Sequence, residues 1–373
     1  MITFKSKKMI ALSGVCALLL TGCFPTGSQH LSNEDNGVIS KQIEEIVSDN
    51  KQLEVEAEID ENAREIPKVN VKIMSWDEEK IKEVFLTGKT DLEHEERSAV
   101  YDEFFPNYKS HLYSQGDDDY WLTYEPGRLS SKNRSNNVFG YNTLAANYKF
   151  YCFKDYFSDE SISVLPKEEA VNRCTQLMNE VGITNYSEPE IYAITVDKAN
   201  EFWKSEGYDE YEEYKDWMSP EDEIYILSFP IEYNDIPVTL FSPESIRNDH
   251  VGIFAGSFVF FLVTKDEILY LDSNNLFSPQ YENGEYVTIK CSAENALKIA
   301  LDYYNGIKLD EGKSVKVTQC KLVYAPRKWH EQGEIITLTP LWEIDTVQYT
   351  QGNLMGVKNS LHIDAQTGDI IIW

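Results

Sequence analysis

The chain has 373 residues, with 63 Asp and Glu against 34 Lys and Arg and a formal net charge of −29. So acidic a surface repels phosphate backbones and anionic headgroups alike, which excludes nucleic-acid binding and electrostatic adhesion to lipid. With 42% hydrophobic and 13% aromatic residues there is ample material for a folded core of roughly two or three domains.

Lys5, Lys7 and Lys8 precede an apolar run from Met9 to Leu20. At about a dozen residues the run is too short for a permanent membrane span, and a cationic start before it is the pattern of an export leader. It ends in Leu20-Thr21-Gly22-Cys23, which resembles the lipobox of bacterial lipoproteins. The resemblance implies cleavage between Gly22 and Cys23 and a lipid on the Cys23 sulfur. It makes residues 1–22 a signal peptide and places the mature protein on the outer, extracytoplasmic face of the cell membrane. Acyl chains then supply the membrane grip that the acidic surface cannot, at about 0.8 kcal/mol per buried CH₂.

Residues 23–65 are polar and acidic and read as a flexible tether, interrupted by a short helical stretch at Ile39 to Val47. Residues 66–160 form a β-rich N-terminal region. Val69, Val71 and Ile73 alternate as in a half-buried strand, and residues 76–106 are charged and partly helical. Tyr120 to Tyr124 reads as a strand turning at Pro126-Gly127, and Phe150 to Phe153 as another strand.

A first helix-plus-sheet unit spans 161–285. Pro166 opens a helix whose apolar face is Ala170, Cys174, Leu177, Met178 and Val181, and Gly182 stops it. Strands follow at Glu190 to Val196, Glu223 to Phe229 and near Ile236-Pro237-Val238, then a hairpin of Ile253 to Val263 with Ile268 to Leu271. The second unit spans 286–373. Ser292 caps a helix with one apolar stripe, Ala293, Ala296, Leu297, Ala300, Leu301 and Tyr304, ended by Asn305-Gly306. Strands follow at Val315 to Tyr324 and Leu338 to Thr346, and a closing hairpin, Leu361 to Trp373, turns at Gln366-Thr367-Gly368. Both units run helix, strands, hairpin. The predicted fold class is therefore α+β, with antiparallel sheets each packed by a helix, arranged as a tandem of two related units after the β-rich region.

The second unit carries Ser292-Ala293-Glu294-Asn295-Ala296, then Pro340-Leu341-Trp342-Glu343-Ile344, then Ile363-Asp364-Ala365-Gln366-Thr367-Gly368-Asp369-Ile370. These segments resemble PepSY-type domains and their relatives in the YycH/YycI class of Gram-positive regulatory proteins. Tyr233-Asn234-Asp235-Ile236-Pro237-Val238 looks like the strand that carries Gly-Ile-Pro-Val in that family, with Asp235 in place of the Gly. The resemblance implies an extracytoplasmic, non-enzymatic role as an inhibitory, regulatory or interaction module, and it supplies no catalytic residues.

Motifs of chemistry are sparse. His94-Glu95-Glu96-Arg97-Ser98 starts like a zinc-protease helix but has Ser98 where the second His must stand, so it reads as an exposed charged helix. Asp117-Asp118-Asp119 and Asp272-Ser273-Asn274-Asn275 lack the alternate ligand spacing and Gly bend of a calcium loop. No metal site, cofactor or catalytic residue is predicted: there is no G-x-S-x-G, no G-x-G-x-x-G and no complete phosphate loop, and Cys320 with His330 is too thin a pair for a thiol enzyme. Cys152, Cys174, Cys291 and Cys320 allow three pairings if bridged, but read as small buried hydrophobes.

The stretch from Phe202-Trp203 through Tyr208, Tyr211, Tyr214 and Trp217 mixes aromatics with acids at spacings of about three. Trp203, Tyr208, Tyr211, Tyr214 and Trp217 are a candidate binding surface. Against this stands an amphipathic helix inserted between two strands with its rings on the sheet. The sequence predicts a non-catalytic binding or regulatory lipoprotein. Its expected partners are the membrane, through the Cys23 lipid, and a surface or sensor protein ectodomain. A glycan-binding lipoprotein and a carboxylate-pair hydrolase are the alternatives.

Overall fold

The computed structural model describes residues 2–6, 9–12, 52–60, 64–98, 108–116, 120–133, 148, 152–157, 161–205, 219–240, 256–280, 284–329, 335–352 and 355–371. Ile2–Ser6 (β1) and Met9–Leu12 (β2) form an antiparallel hairpin, and β1 lies parallel to Leu53–Ile59 (β3). β3 falls in the stretch expected to be tether. Leu53, Val55 and Ala57 are buried while Glu54, Glu56 and Glu58 face solvent, the period of a strand with one dry side. A tether can therefore extend no further than the residues before β3.

Glu65–Pro67 (β4) and Asn70–Ile73 (β5) lead to a helix at Glu78–Leu86 (α1). The Asp77 carboxylate accepts from the Lys80 N–H at its start, and Glu78 and Glu79 suit the positive end of the dipole. Four strands follow as an antiparallel meander: Glu93–Ser98 (β6), Lys109–Gln115 (β7), Tyr120–Glu125 (β8) and Arg128–Asn133 (β9). The segment from His94 to Ser98 is thus a strand, not the expected helix. It is a sheet edge exposed along its whole length, so no buried face marks it in the sequence. Phe153 belongs to a 3-10 turn, Phe153–Asp155, rather than to the expected strand ending there.

The next passage repeats the order. A helix at Lys167–Glu180 (α2) buries Ala170, Cys174 and Met178, and Gly182 leaves it at φ +87°. Then come Glu190–Ile194 (β10), a helix at Val196–Ser205 (α3), Ile224–Pro230 (β11), the small ladder of Glu232–Tyr233 (β12) with Ile236–Pro237 (β13), Phe258–Val263 (β14) and Ile268–Asn274 (β15). Phe277–Gln280 (β16) and Tyr286–Thr288 (β17) lead to the last passage. Its helix, Ala293–Asn305 (α4), starts at Ser292, whose hydroxyl accepts from the Asn295 N–H at 3.2 Å. Lys313–Trp329 (β18), Ile335–Thr350 (β19), Val357–Asp364 (β20) and Ile370–Ile371 (β21) close the chain.

The strands make two large sheets. One has the order β10-β11-β14-β15-β9-β8-β7-β6; the other runs β16-β5-β19-β18-β3-β1-β2, with β20 also on β19 and β21 on β20. The fold is mixed α+β, antiparallel except where β3 joins β18 and β1 joins β3. The expected division at residues 160 and 161 runs through a single sheet, because β15 pairs with β9. Similarly β5, from the N-terminal region, pairs with β19. One continuous apolar core spans both sheets, α2 packing on β11 and α4 on β18 and β19.

A turn ties the sheets together. At the β8–β9 hairpin tip, the Gly127 N–H donates to the Met74 carbonyl at 2.8 Å and its own carbonyl accepts from Leu276 at 2.9 Å. Gly127 sits at φ +73°, and a Cβ there would meet Ile73 at 3.1 Å and the Leu276 carbonyl at 3.2 Å. Conformation and space both select glycine. The Trp76 indole N–H donates to the Glu125 and Arg128 carbonyls across the same turn.

Candidate functional site

Gly22 and Cys23 lie outside the described residues, as do Asp117 to Asp119, Tyr208, Tyr211, Tyr214, Trp217 and His330. Trp203 lies in α3, between β10 and β11, where its neighbour Phe202 is fully buried against Phe157, ring centroids 5.9 Å apart. Phe202 therefore packs on the sheet. Asp272 to Asn275 is strand and turn: Ser273 exchanges hydrogen bonds with Leu129, and Asn275 sits at φ +48°. Among the described residues, no group of three or more His, Cys, Asp or Glu converges on a metal position. Cys152, Cys174, Cys291 and Cys320 are unbridged; the last three are buried, and burial lifts the Cys291 thiol to about 11.

Two features stand out, on opposite faces of the β18–β19–β20 sheet. Under α4, Trp342 is fully buried and its indole N–H donates to the Cys291 carbonyl at 2.8 Å. Along β19 the residues on this face run Trp342, Ile344, Thr346, Gln348, apolar to polar. The helix ends before the strand does: thirteen helical residues reach about 20 Å, whereas sixteen strand residues reach about 50 Å. Past the helix end an open groove of about 300 Å³ remains, with Tyr303, Tyr304, Ile307, Gln348 and Asn359 among its walls. Gln52, just before β3, closes one side and is held by its amide donating to the Asp310 and Lys313 carbonyls. Tyr303 is 42% exposed and Ile307 40%, and the two stand together at the mouth of the groove. Tyr304 turns inward, its hydroxyl 3.4 Å from that of Thr346.

The other face carries ions. Register puts Lys321, Glu343 and His362 in one row across three strands. Lys321 Nζ lies 2.8 Å from Glu343 Oε1 and 2.7 Å from Asp345 Oδ2. His362 Nε2 lies 2.9 Å from Glu343 Oε2 and 3.1 Å from the Thr239 hydroxyl, which itself donates to Glu343. Ser360 donates to Asp345 at 2.6 Å. Glu343 is wholly buried. Burial alone would raise its carboxyl, but the Lys321 ammonium and the His362 imidazole outweigh it and hold Glu343 below the usual range. Asp345 goes the other way: burial lifts it, the Glu343 charge adds to the lift, and Lys321 offsets only part. Lys321 is raised, its desolvation outweighed by the two carboxylates.

Two carboxylates pushed apart are a mark of acid–base sites. Here Glu343 has no exposed surface, and neither carboxylate lines the groove. Thr239, His362 and Glu343 also do not form a nucleophile relay. A relay needs the acid on one imidazole nitrogen and the hydroxyl on the other, whereas both meet Nε2. The row is built to hold three strands and the Thr239 loop together.

No protein-family model matches the chain, and no curated protein sequence matches it. Among solved structures, the fold is similar to the crystal structure of an uncharacterized protein from Eubacterium rectale, with a TM-score of 0.61, 15% identity, 87% of this chain covered and 92% of that one. The likeness extends over both sheets' worth of chain and is one of fold. Among the described residues, no helix is long and apolar enough to cross a membrane.

Proposed function

We propose that this is a lipid-anchored, extracytoplasmic binding module, held at the outer face of the membrane through Cys23. The reading of the leader rests on Lys5 to Cys23 alone. Cleavage before Cys23 would remove β1 and β2, which pair with each other and, through β1 alone, with β3, and would leave the β3–β18 ladder in place. The observation that carries a binding role is the groove past the end of α4, open and flanked by the exposed Tyr303 and Ile307. The repeated helix-then-meander order supports reading the last two passages as related PepSY-like units; the α1 passage shares that order.

A hydrolase has in its favour the Glu343–Asp345 pair, but it would need an open path to Glu343, which is wholly buried while Asp345 is partly exposed.

Two measurements test the proposal. Cys23→Ser should release the protein from the membrane fraction or stall its processing; unchanged membrane retention refutes the anchor. The double variant Tyr303→Ala, Ile307→Ala should lose saturable binding to surface extract while keeping its melting temperature. Equal binding by variant and parent removes the groove from the proposal.

A further inference from the structure

We infer that the groove past α4 takes a neutral carbohydrate chain; this rests on the binding-module reading and names its ligand class. None of the residues lining the groove is Asp, Glu, Lys or Arg, in a chain where 26% of residues are charged. An ionic ligand entering it would lose water and find no counter-charge, so the ligand is uncharged.

The polar groups are carboxamides and hydroxyls. The Gln348 amide makes no side-chain hydrogen bond among the described residues. Asn359 Nδ2 reaches the Val357 carbonyl only at 3.5 Å, the outer limit of such a bond. A carboxamide offers two donors and an acceptor side by side, which matches sugar hydroxyls that both give and take a proton.

Beside these amides stands the half-exposed ring of Tyr303, with Tyr304 at 77° to it and 5.5 Å away, so the two rings form a corner. The electron-rich ring face suits the C–H side of a pyranose. The floor is a sheet face whose backbone groups are engaged between β18, β19 and β20, so a ligand lying on it is met by side chains, as a sugar's hydroxyls require, while an extended peptide takes its hydrogen bonds from a strand edge. A volume of about 300 Å³ is at the small end for ligand sites and suits a short stretch of such a chain.

Titration calorimetry on the detergent-solubilised full chain tests this with cellohexaose, maltohexaose, chitohexaose, an oligogalacturonate and an uncharged decapeptide. Saturable binding of at least one neutral hexasaccharide is expected. Tyr303→Ala should weaken it at least about tenfold, or 1.4 kcal/mol, and Gln348→Ala several-fold. Tyr286→Ala, which alters an exposed ring on β17, should leave it unchanged. Circular dichroism melts of all three variants should match the parent. Failure of every hexasaccharide, or affinity unaltered in both groove variants, overturns the inference. Tyr303-dependent binding of the peptide overturns the carbohydrate assignment and leaves the binding-module reading standing. Binding of no probe, together with no saturable binding of surface extract by the parent protein itself, overturns both.

Discussion

The meander after α2 and the meander after α4 share one strand order but close their second faces by different chemistry. In the first, Tyr192, Ile194, Ile224, Ile226, Phe260 and Leu262 meet Phe153, Phe157 and Phe202, and the face is dry and aromatic. In the last, the same face carries Lys321, Glu343 and His362 beside a small apolar patch of Val323, Ala325 and Leu341. Apolar packing tolerates approximate shapes, whereas a buried ion row is favourable only when every partner is in place. The first arrangement therefore gives strength that degrades gradually. The second fixes one register and one position for the Thr239 loop.

The sharpest break in that comparison is Glu343→Ala, which takes one partner each from Lys321, His362 and Thr239 in a buried site and should destabilise by about 3–5 kcal/mol, read from urea unfolding. Ile226→Ala, at the matching depth of the first meander, should lose about 2–4 kcal/mol. A loss at Glu343 smaller than at Ile226 would show that the ion row is slack. Gly127→Ala should destabilise by more than about 1 kcal/mol, because it combines positive φ with a crowded Cβ; a neutral result would mean the sheets do not rely on that turn. Ser292→Ala should remove about 1 kcal/mol through the lost cap, again by urea unfolding.

The smallest effect is one of pH. Glu343 is held down, so it adds stability above the ordinary glutamate value of about 4.3 and gives it up as pH falls through its folded-state value. Asp345 is raised, acts in the opposite sense, and offsets part of that loss. Stability measured between pH 6 and 2 should therefore fall less steeply in Glu343→Gln than in the parent. An equal slope would mean that Glu343 is not ionised in its pocket.

Much of the fold is legible where burial is one-sided and local. The stripe from Ala293 to Tyr304, the Ser292 cap and the Gly182 stop all stand at their expected places. So does the turn of the β14–β15 hairpin, although β14 begins at Phe258, with Gly256 and Ser257 outside the strand. β3 also carries its signal, in Leu53, Val55 and Ala57, but alternating glutamates give it the composition of a tether. β6 carries none, being exposed on every residue. The sheet order is not local: β15 against β9 and β5 against β19 join segments far apart in sequence. The groove was illegible for that reason, since Gln52 reaches the Asp310 carbonyl across 258 positions. Glu343 between Trp342 and Ile344 was a visible interruption of an apolar strand. Its partners could be named only once the register was known.

β3 has a mechanical consequence. With an anchor at Cys23, it is the first described strand that any pull from the membrane reaches. It lies parallel to β18, from Val315 opposite Leu53 to Cys320 opposite Ile59, inside the larger sheet. Tension along β3 loads those ladder bonds together, in shear, instead of peeling them one at a time. If Cys23 is anchored as proposed, that end of the chain would double as a tow-point that drag would not readily unpick.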